Sequence, residues 1–143
     1  MLYKYTIMIL KTSQNQKKVS EYLVSNCGKP FSLIEKINKN LFGSPKYLVK
    51  SITPLKFGLD FDKYTDLVYC TIELRKKGLA IYFRFKNEEY MILSRFNQVT
   101  YISSDNTFDF QAGGFMLNLK IQDSKNHKRF ISRMIKYRNE IIS

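Results

Sequence analysis

From residue 66 to residue 121 the apolar residues return at every second position, and short turn segments break the pattern at intervals. A period of two puts successive side chains on opposite faces, so such a stretch folds as a sheet with one buried face. In DLVYCTIEL, Val68, Cys70, Ile72 and Leu74 fall on one face, with Tyr69, Thr71 and Glu73 on the other. RKKG then reads as a tight turn. In LAIYFRFK, Leu79, Ile81, Phe83 and Phe85 oppose Tyr82, Arg84 and Lys86. After NEE come YMILSRF and QVTYIS, the latter with Val99 and Tyr101 in phase. SDN turns the chain into TFDFQ, where Phe108 and Phe110 alternate with polar residues. AGG leads to FMLNLKI, where Phe115, Leu117, Leu119 and Ile121 share a face. The spacing predicts six strands in an antiparallel meander. KYLVKSI at 46–52, bounded by Gly43, Pro45 and Pro54, reads as a seventh. LKFGLDFDKYT, just after it, fits either a short strand or a loop.

Both ends read differently. Residues 1–44 are expected to form a helical extension packed on the same domain as the sheet of 45–143. In SLIEKINKNLFG, Ser32 and Glu35 stand at capping-box spacing, Leu33, Ile34, Ile37 and Leu41 share a face, and Gly43 is a stop. QKKVSEYLVSN, carrying Val19, Tyr22 and Leu23, predicts a helix before it. The last segment, SKNHKRFISRMIKYRNEII at 124–142, has the strongest helical pattern. Tyr137, Phe130, Ile141, Met134, Ile131, Ile142 and Ile135 span an arc of roughly 160° on a helical wheel. Lys125, Lys136, Arg129 and Arg133 cluster within about 80° on the opposite side. His127 and Arg138 fall inside the apolar arc, the first near the opening turn and the second able to lay its stem over apolar surface. The apolar stripe must be buried, and the sheet offers a place to bury it.

Seven antiparallel strands followed by one amphipathic C-terminal helix resemble the pleckstrin-homology-like fold, and in particular its small bacterial members. The resemblance covers about residues 45–142 and rests on topology and pattern. It implies an α+β domain, a bent sandwich or barrel capped at one open corner by the final helix. In lipid-binding members, head-group phosphates are held at the first hairpin by a Lys and by alternating basic residues. Here RKKGLAIYFRFK offers Lys76, Lys77, Arg84 and Lys86. The turn is tighter than the family's, and Arg84 lies about seven residues from Lys77, over 20 Å at strand rise. These cations cannot close on one phosphate cluster, so the resemblance does not carry over a phosphoinositide pocket.

Formal net charge is +12, and it is unevenly placed. Residues 1–64 carry 11 Lys/Arg and 4 Asp/Glu, residues 65–121 carry 7 and 6, and residues 122–143 carry 6 and 2. The excess therefore sits at the two ends, as expected for a chain that meets an anionic partner. A compositional origin, in a chain rich in Lys, Asn and Ile, explains the same charge. Lys125, Arg129 and Arg133 are successive i,i+4 like charges, the first two towards the positive end of the helix dipole. A sequence chosen for helix stability alone would not repeat this arrangement.

Catalytic patterns are missing. The single His, His127, has no Ser or Cys at a recognisable nucleophile spacing. Asp60, Asp62 and Asp66 lack the Gly and Glu of a calcium loop and read as solvated turn residues. Of the two cysteines, Cys27 and Cys70, the second alternates into a strand and reads as a buried free thiol. MLYKYTIMIL is too short for a signal core or a membrane span, so a cytoplasmic protein, peripheral on the inner membrane face if lipid is the partner, is expected.

The expectation is thus a binding module without catalytic activity, cofactor or metal. It would contact an acidic membrane surface or acidic protein through Lys125, Arg129, Arg133 and Lys136, with Lys76, Lys77 and Arg84 second. Non-specific nucleic-acid binding through the same charges is the alternative. A protein–protein scaffold meeting its partner at a sheet edge, with incidental charge, is the third.

Overall fold

The computed structural model describes residues 9–11, 16–39, 41–54 and 66–142. LKFGLDFDKYT, with Asp60 and Asp62, lies outside the described residues; Asp66, which follows it, is exposed. In chain order the elements are β1 (Ile9–Lys11), α1 (Gln16–Cys27), α2 (Leu33–Lys39), β2 (Tyr47–Thr53), β3 (Tyr69–Leu74), β4 (Gly78–Phe85) and β5 (Glu88–Arg95). A 3-10 turn at Phe96–Gln98 precedes β6 (Thr100–Ser103), β7 (Thr107–Ala112), β8 (Phe115–Ile121) and α3 (Ser124–Ile142). This is an α+β chain: an antiparallel sheet with a C-terminal helix.

All seven strands expected from the sequence are present, but they do not form one meander. Their order in the sheet is β1-β5-β4-β3-β2-β8-β7-β6. The hairpins β2 to β5 and β6 to β8 are two meanders, joined because the first long strand pairs with the last. The break falls at the 3-10 turn, where β5 and β6 part. The sheet is open rather than closed into a barrel, with β1 and β6 at its edges. It nevertheless curls. The backbone N–H of Gly113, in the β7–β8 turn, donates to Ser94 Oγ of β5 at 2.9 Å. A Cβ on Gly113 would run into the Leu93 carbonyl, and its φ of +57° is one that L side chains rarely adopt.

The N-terminal region departs from the all-helical expectation. Ile9–Lys11 is a strand paired with β5, extending the sheet by one edge. Lys86 and Asn87, with φ of 50° and 63°, form the β4–β5 turn, so Glu88 and Glu89 belong to the strand and not to the turn.

One face of the sheet carries the main core. Tyr47, Ile72, Leu79, Ile81, Phe85, Phe108, Phe110, Phe115 and Leu117 are buried on it, beneath Phe130, Met134 and Tyr137 of α3. In β2 the alternation slips at Lys50, where a bulge against β8 lets both Val49 and Ile52 point inward. The opposite face of β4 and β5 is covered by α1, whose Val19, Leu23 and Cys27 pack on Ala80, Met91 and Leu93. Burial on both faces explains why YMILSRF is nearly continuous in apolar residues. Cys27 and Cys70 are both buried free thiols, their pKa pushed by burial to about 11 and about 12.

Phe108 sits at the centre of the core, with ring centroids of Tyr47, Phe110 and His127 at 5.2, 5.0 and 4.8 Å. Truncation there leaves a cavity that these three rigid neighbours cannot fill. Phe108→Ala is expected to cost about 3–5 kcal/mol in a urea unfolding titration. A loss below about 1 kcal/mol would mean that this aromatic cluster is not the core.

Candidate anionic-surface interface

The outward surface of α3 depends on how its inner side is held. Asp123 caps the helix, accepting the Asn126 backbone N–H at Oδ1 over 3.1 Å and the Asn126 side-chain amide at Oδ2 over 2.7 Å. Those bonds hold its carboxyl below the usual range, with Lys125 and Arg129 adding to the effect. The capping carboxylate also offsets the basic residues crowding the positive end of the helix.

Three polar ties then fix the helix to the body. His127, 3% exposed, bridges β2 and β6: Nδ1 is 2.6 Å from the Tyr47 hydroxyl and Nε2 is 2.8 Å from Ser103 Oγ. Tyr137 donates its hydroxyl to the Lys76 carbonyl at 3.0 Å, and Arg138 donates to the Val99 carbonyl at 2.9 Å. The two polar members of the apolar arc are therefore paired with partners far away in sequence.

Ser103 thus comes within reach of the imidazole although no sequence spacing announced it. The Tyr47 hydroxyl and Ser103 Oγ occupy the two ring nitrogens, and the direction of each bond follows the imidazole tautomer. Burial raises the Tyr47 pKa and keeps its hydroxyl protonated.

With α3 so oriented, Lys125, Arg129 and Lys136 are exposed and Arg133 is half-buried. Two grooves flank them. One, of about 240 Å³, is lined by Phe42, Gly43, Ser44, Pro45, Asn126, Arg129, Phe130 and Arg133. The other, of about 310 Å³, is lined by Asn38, Lys39 and Leu41 together with Arg133, Lys136, Tyr137 and Glu140. The first brings the loop after α2 against the basic stripe and the second the end of α2 itself, with Arg133 lining both. Lys39 lies over the Tyr137 ring at 5.9 Å.

The second group of expected residues divides. Lys76 and Lys77, in the β3–β4 turn, share a cavity of about 340 Å³ with Arg95, Asn26, Asn97 and Ile141. Arg84 sits at the far end of β4 on a different surface, opposite Glu89 in the strand register. It joins neither basic group.

Sequence reasoning missed Lys39 and Arg95, which reach these sites from elements read only for their packing. It also missed the direction of α2. The Ser32–Glu35 capping box forms as expected, with Glu35 N–H to Ser32 Oγ at 3.2 Å and Ser32 N–H to Glu35 Oε1 at 3.1 Å. Yet α2 buries no residue: Leu33, Ile34 and Ile37 are 68%, 71% and 60% exposed, and only Leu41 of the predicted face enters the core. The polar side of the helix lies along the β3–β4 turn at the surface, where Glu35 meets Lys76 Nζ at 3.5 Å. The Ser32 backbone N–H, then its hydroxyl and Lys76, hold the Glu35 carboxyl below its ordinary range.

Among the described residues no helix is long and apolar enough to cross a membrane, and no His, Cys, Asp and Glu group could hold a metal ion. Comparison with protein-family models, with curated proteins and with solved structures gives no match.

His127 is held neutral: burial lowers its pKa below 6.5, and Lys128 adds to this. The unfolded chain takes up the proton more readily, so the stability due to neutral His127 is full above pH 6.5 and is lost as pH falls below it. Because the chain has one His, the window between about pH 6.5 and pH 5 isolates it. The melting temperature is expected to drop across that window and to flatten there in His127→Asn, measured by circular dichroism. An equal slope in both proteins would assign the drop to another group.

Proposed function

We propose that the chain is a non-catalytic binding module, similar to pleckstrin-homology-like domains, that meets an anionic membrane surface through the outer flank of α3. The observation carrying this reading is the docking of α3. Its apolar side is fixed to the sheet by His127, Tyr137 and Arg138, while Lys125, Arg129 and Lys136 stay exposed on the other side. A stripe on a pinned helix is pre-arranged for a broad, flat anionic partner. Each Lys or Arg near such a surface contributes about 1 kcal/mol.

The same pinning argues against nucleic acid. A helix entering a groove would have to leave its seat, and the aromatics that could stack bases, such as Phe83, Phe85, Phe108 and Phe110, are in the core. An acidic protein would satisfy the charge equally well, and the vesicle experiment separates it.

The test is co-flotation with vesicles of phosphatidylcholine alone or mixed with phosphatidylserine. Binding is expected only to the anionic vesicles and to weaken as salt rises. Replacing Lys125, Arg129 and Lys136 together by Gln is expected to weaken it about 100-fold, from about 1 kcal/mol per charge. No retention of the wild-type protein by anionic vesicles at low salt would sink the membrane reading.

A further inference from the structure

We infer that α2 and the loop after it insert apolar side chains into the same membrane, so that the interface is a hydrophobic wedge set in a basic surround; this rests on the membrane reading above. Leu33, Ile34, Ile37 and Phe42, exposed by 68%, 71%, 60% and 47%, are the wedge. Three of them fall within about 100° of one another on α2.

The orientation of α2 is the reverse of what burial alone would select. A soluble amphipathic helix turns its apolar side to the core and its charged side to water. Here the charged side faces the body, with Glu35 on Lys76 and Lys39 over the Tyr137 ring, and the aliphatic side faces out. Both halves of the capping box close, so the helix is formed without any buried side chain. Among the described residues nothing covers that face.

The charge around it identifies the occupant. Asn38, about 40° beyond Ile34 on the wheel, lines one groove with three cations, Lys39, Arg133 and Lys136, and one acid, Glu140. Phe42 lines the other with Arg129 and Arg133. Lys36 borders the apolar arc on its opposite side. The acidic member of α2, Glu35, is drawn away to Lys76 and Ser32. Aliphatic and aromatic tips ringed by cations match a leaflet that offers acyl chains beneath anionic head groups. A second copy of this chain is a poor occupant, since it would bring one basic rim against another at a net charge of +12 each. Stable attachment to a bilayer ordinarily requires two signals, apolar insertion and electrostatic attraction, and this surface presents both.

The chain has no Trp, so Ile37→Trp supplies a single reporter in the full-length protein. On phosphatidylserine-containing vesicles its emission is expected to shift to the blue and to be quenched by lipids brominated on their acyl chains. Leu33→Ser with Ile37→Ser, both at exposed positions, is expected to keep the wild-type melting temperature and to bind these vesicles at least about tenfold more weakly. Unshifted, unquenched emission with wild-type-strength binding of the serine variant would overturn insertion while leaving the electrostatic reading intact. Absence of any binding by the wild-type protein would overturn both. Wild-type sedimentation as a dimer that the serine variant converts to a monomer would assign the face to a protein contact and overturn insertion.

Discussion

The buried imidazole of His127 determines what this protein can present to a partner. It ties the first turn of α3 to β2 through Tyr47 and to β6 through Ser103, the two limbs that the curled sheet must keep together. Tyr137 and Arg138 repeat the arrangement about three turns later, on the β3–β4 turn and on the β5–β6 connection. A buried polar group is stabilising only when its partners are in place, and here both ring nitrogens have one. The rotation of α3 is therefore set by hydrogen bonds as well as by its apolar stripe. The outward direction of Lys125, Arg129 and Lys136 follows from that rotation.

The same docking places α2. Tyr137 stacks edge-on with Phe31 at 5.1 Å, just before α2, and the Lys76 whose carbonyl it holds reaches Glu35 with its side chain. Arg75, 6% exposed, joins the linkage by donating to the Gly28 carbonyl at 2.9 Å and to Glu73 at 3.2 Å. The α1–α2 connection is thereby fastened to the β3–β4 turn through polar contacts. That fastening sets the charged side of α2 beside the β3–β4 turn and leaves its aliphatic side outward. On the proposed reading, the exposed apolar surface is a consequence of how the hairpin and the two helices are pinned, and the basic stripe beside it is its complement.

Much of this was legible in the sequence, because the strands bury one face and betray it by a period of two. The positions of β3 to β8, the span of α3 and the capping box of α2 follow from local patterns in which each residue needs only its neighbours. The pairing of β2 with β8 was not legible, since alternation says which face is buried and nothing about which strand lies alongside. The bulge at Lys50 and the strand at Ile9–Lys11 are set by partners far along the chain. His127 marked itself only as a polar residue in an apolar arc. Its role needed Tyr47 and Ser103, 80 and 24 residues away. For α2 the local pattern pointed the wrong way: a wheel shows that one face is apolar and cannot show that the tertiary contacts turn that face to solvent. Of the basic residues, the α3 stripe stays together, whereas Lys76 with Lys77 and Arg84 part because strand rise separates the two ends of β4.

The central claim is that α2 and the outer flank of α3 together meet an anionic membrane. Hydrogen–deuterium exchange of the intact protein, free and on phosphatidylserine vesicles, tests it most directly. The predicted result is slower exchange across residues 33–45 and in the opening turns of α3, with the amides of β3 and β4 around Arg84 unchanged. Protection centred on Arg84 or on a sheet edge, with α2 exchanging as fast as in the free protein, would contradict it.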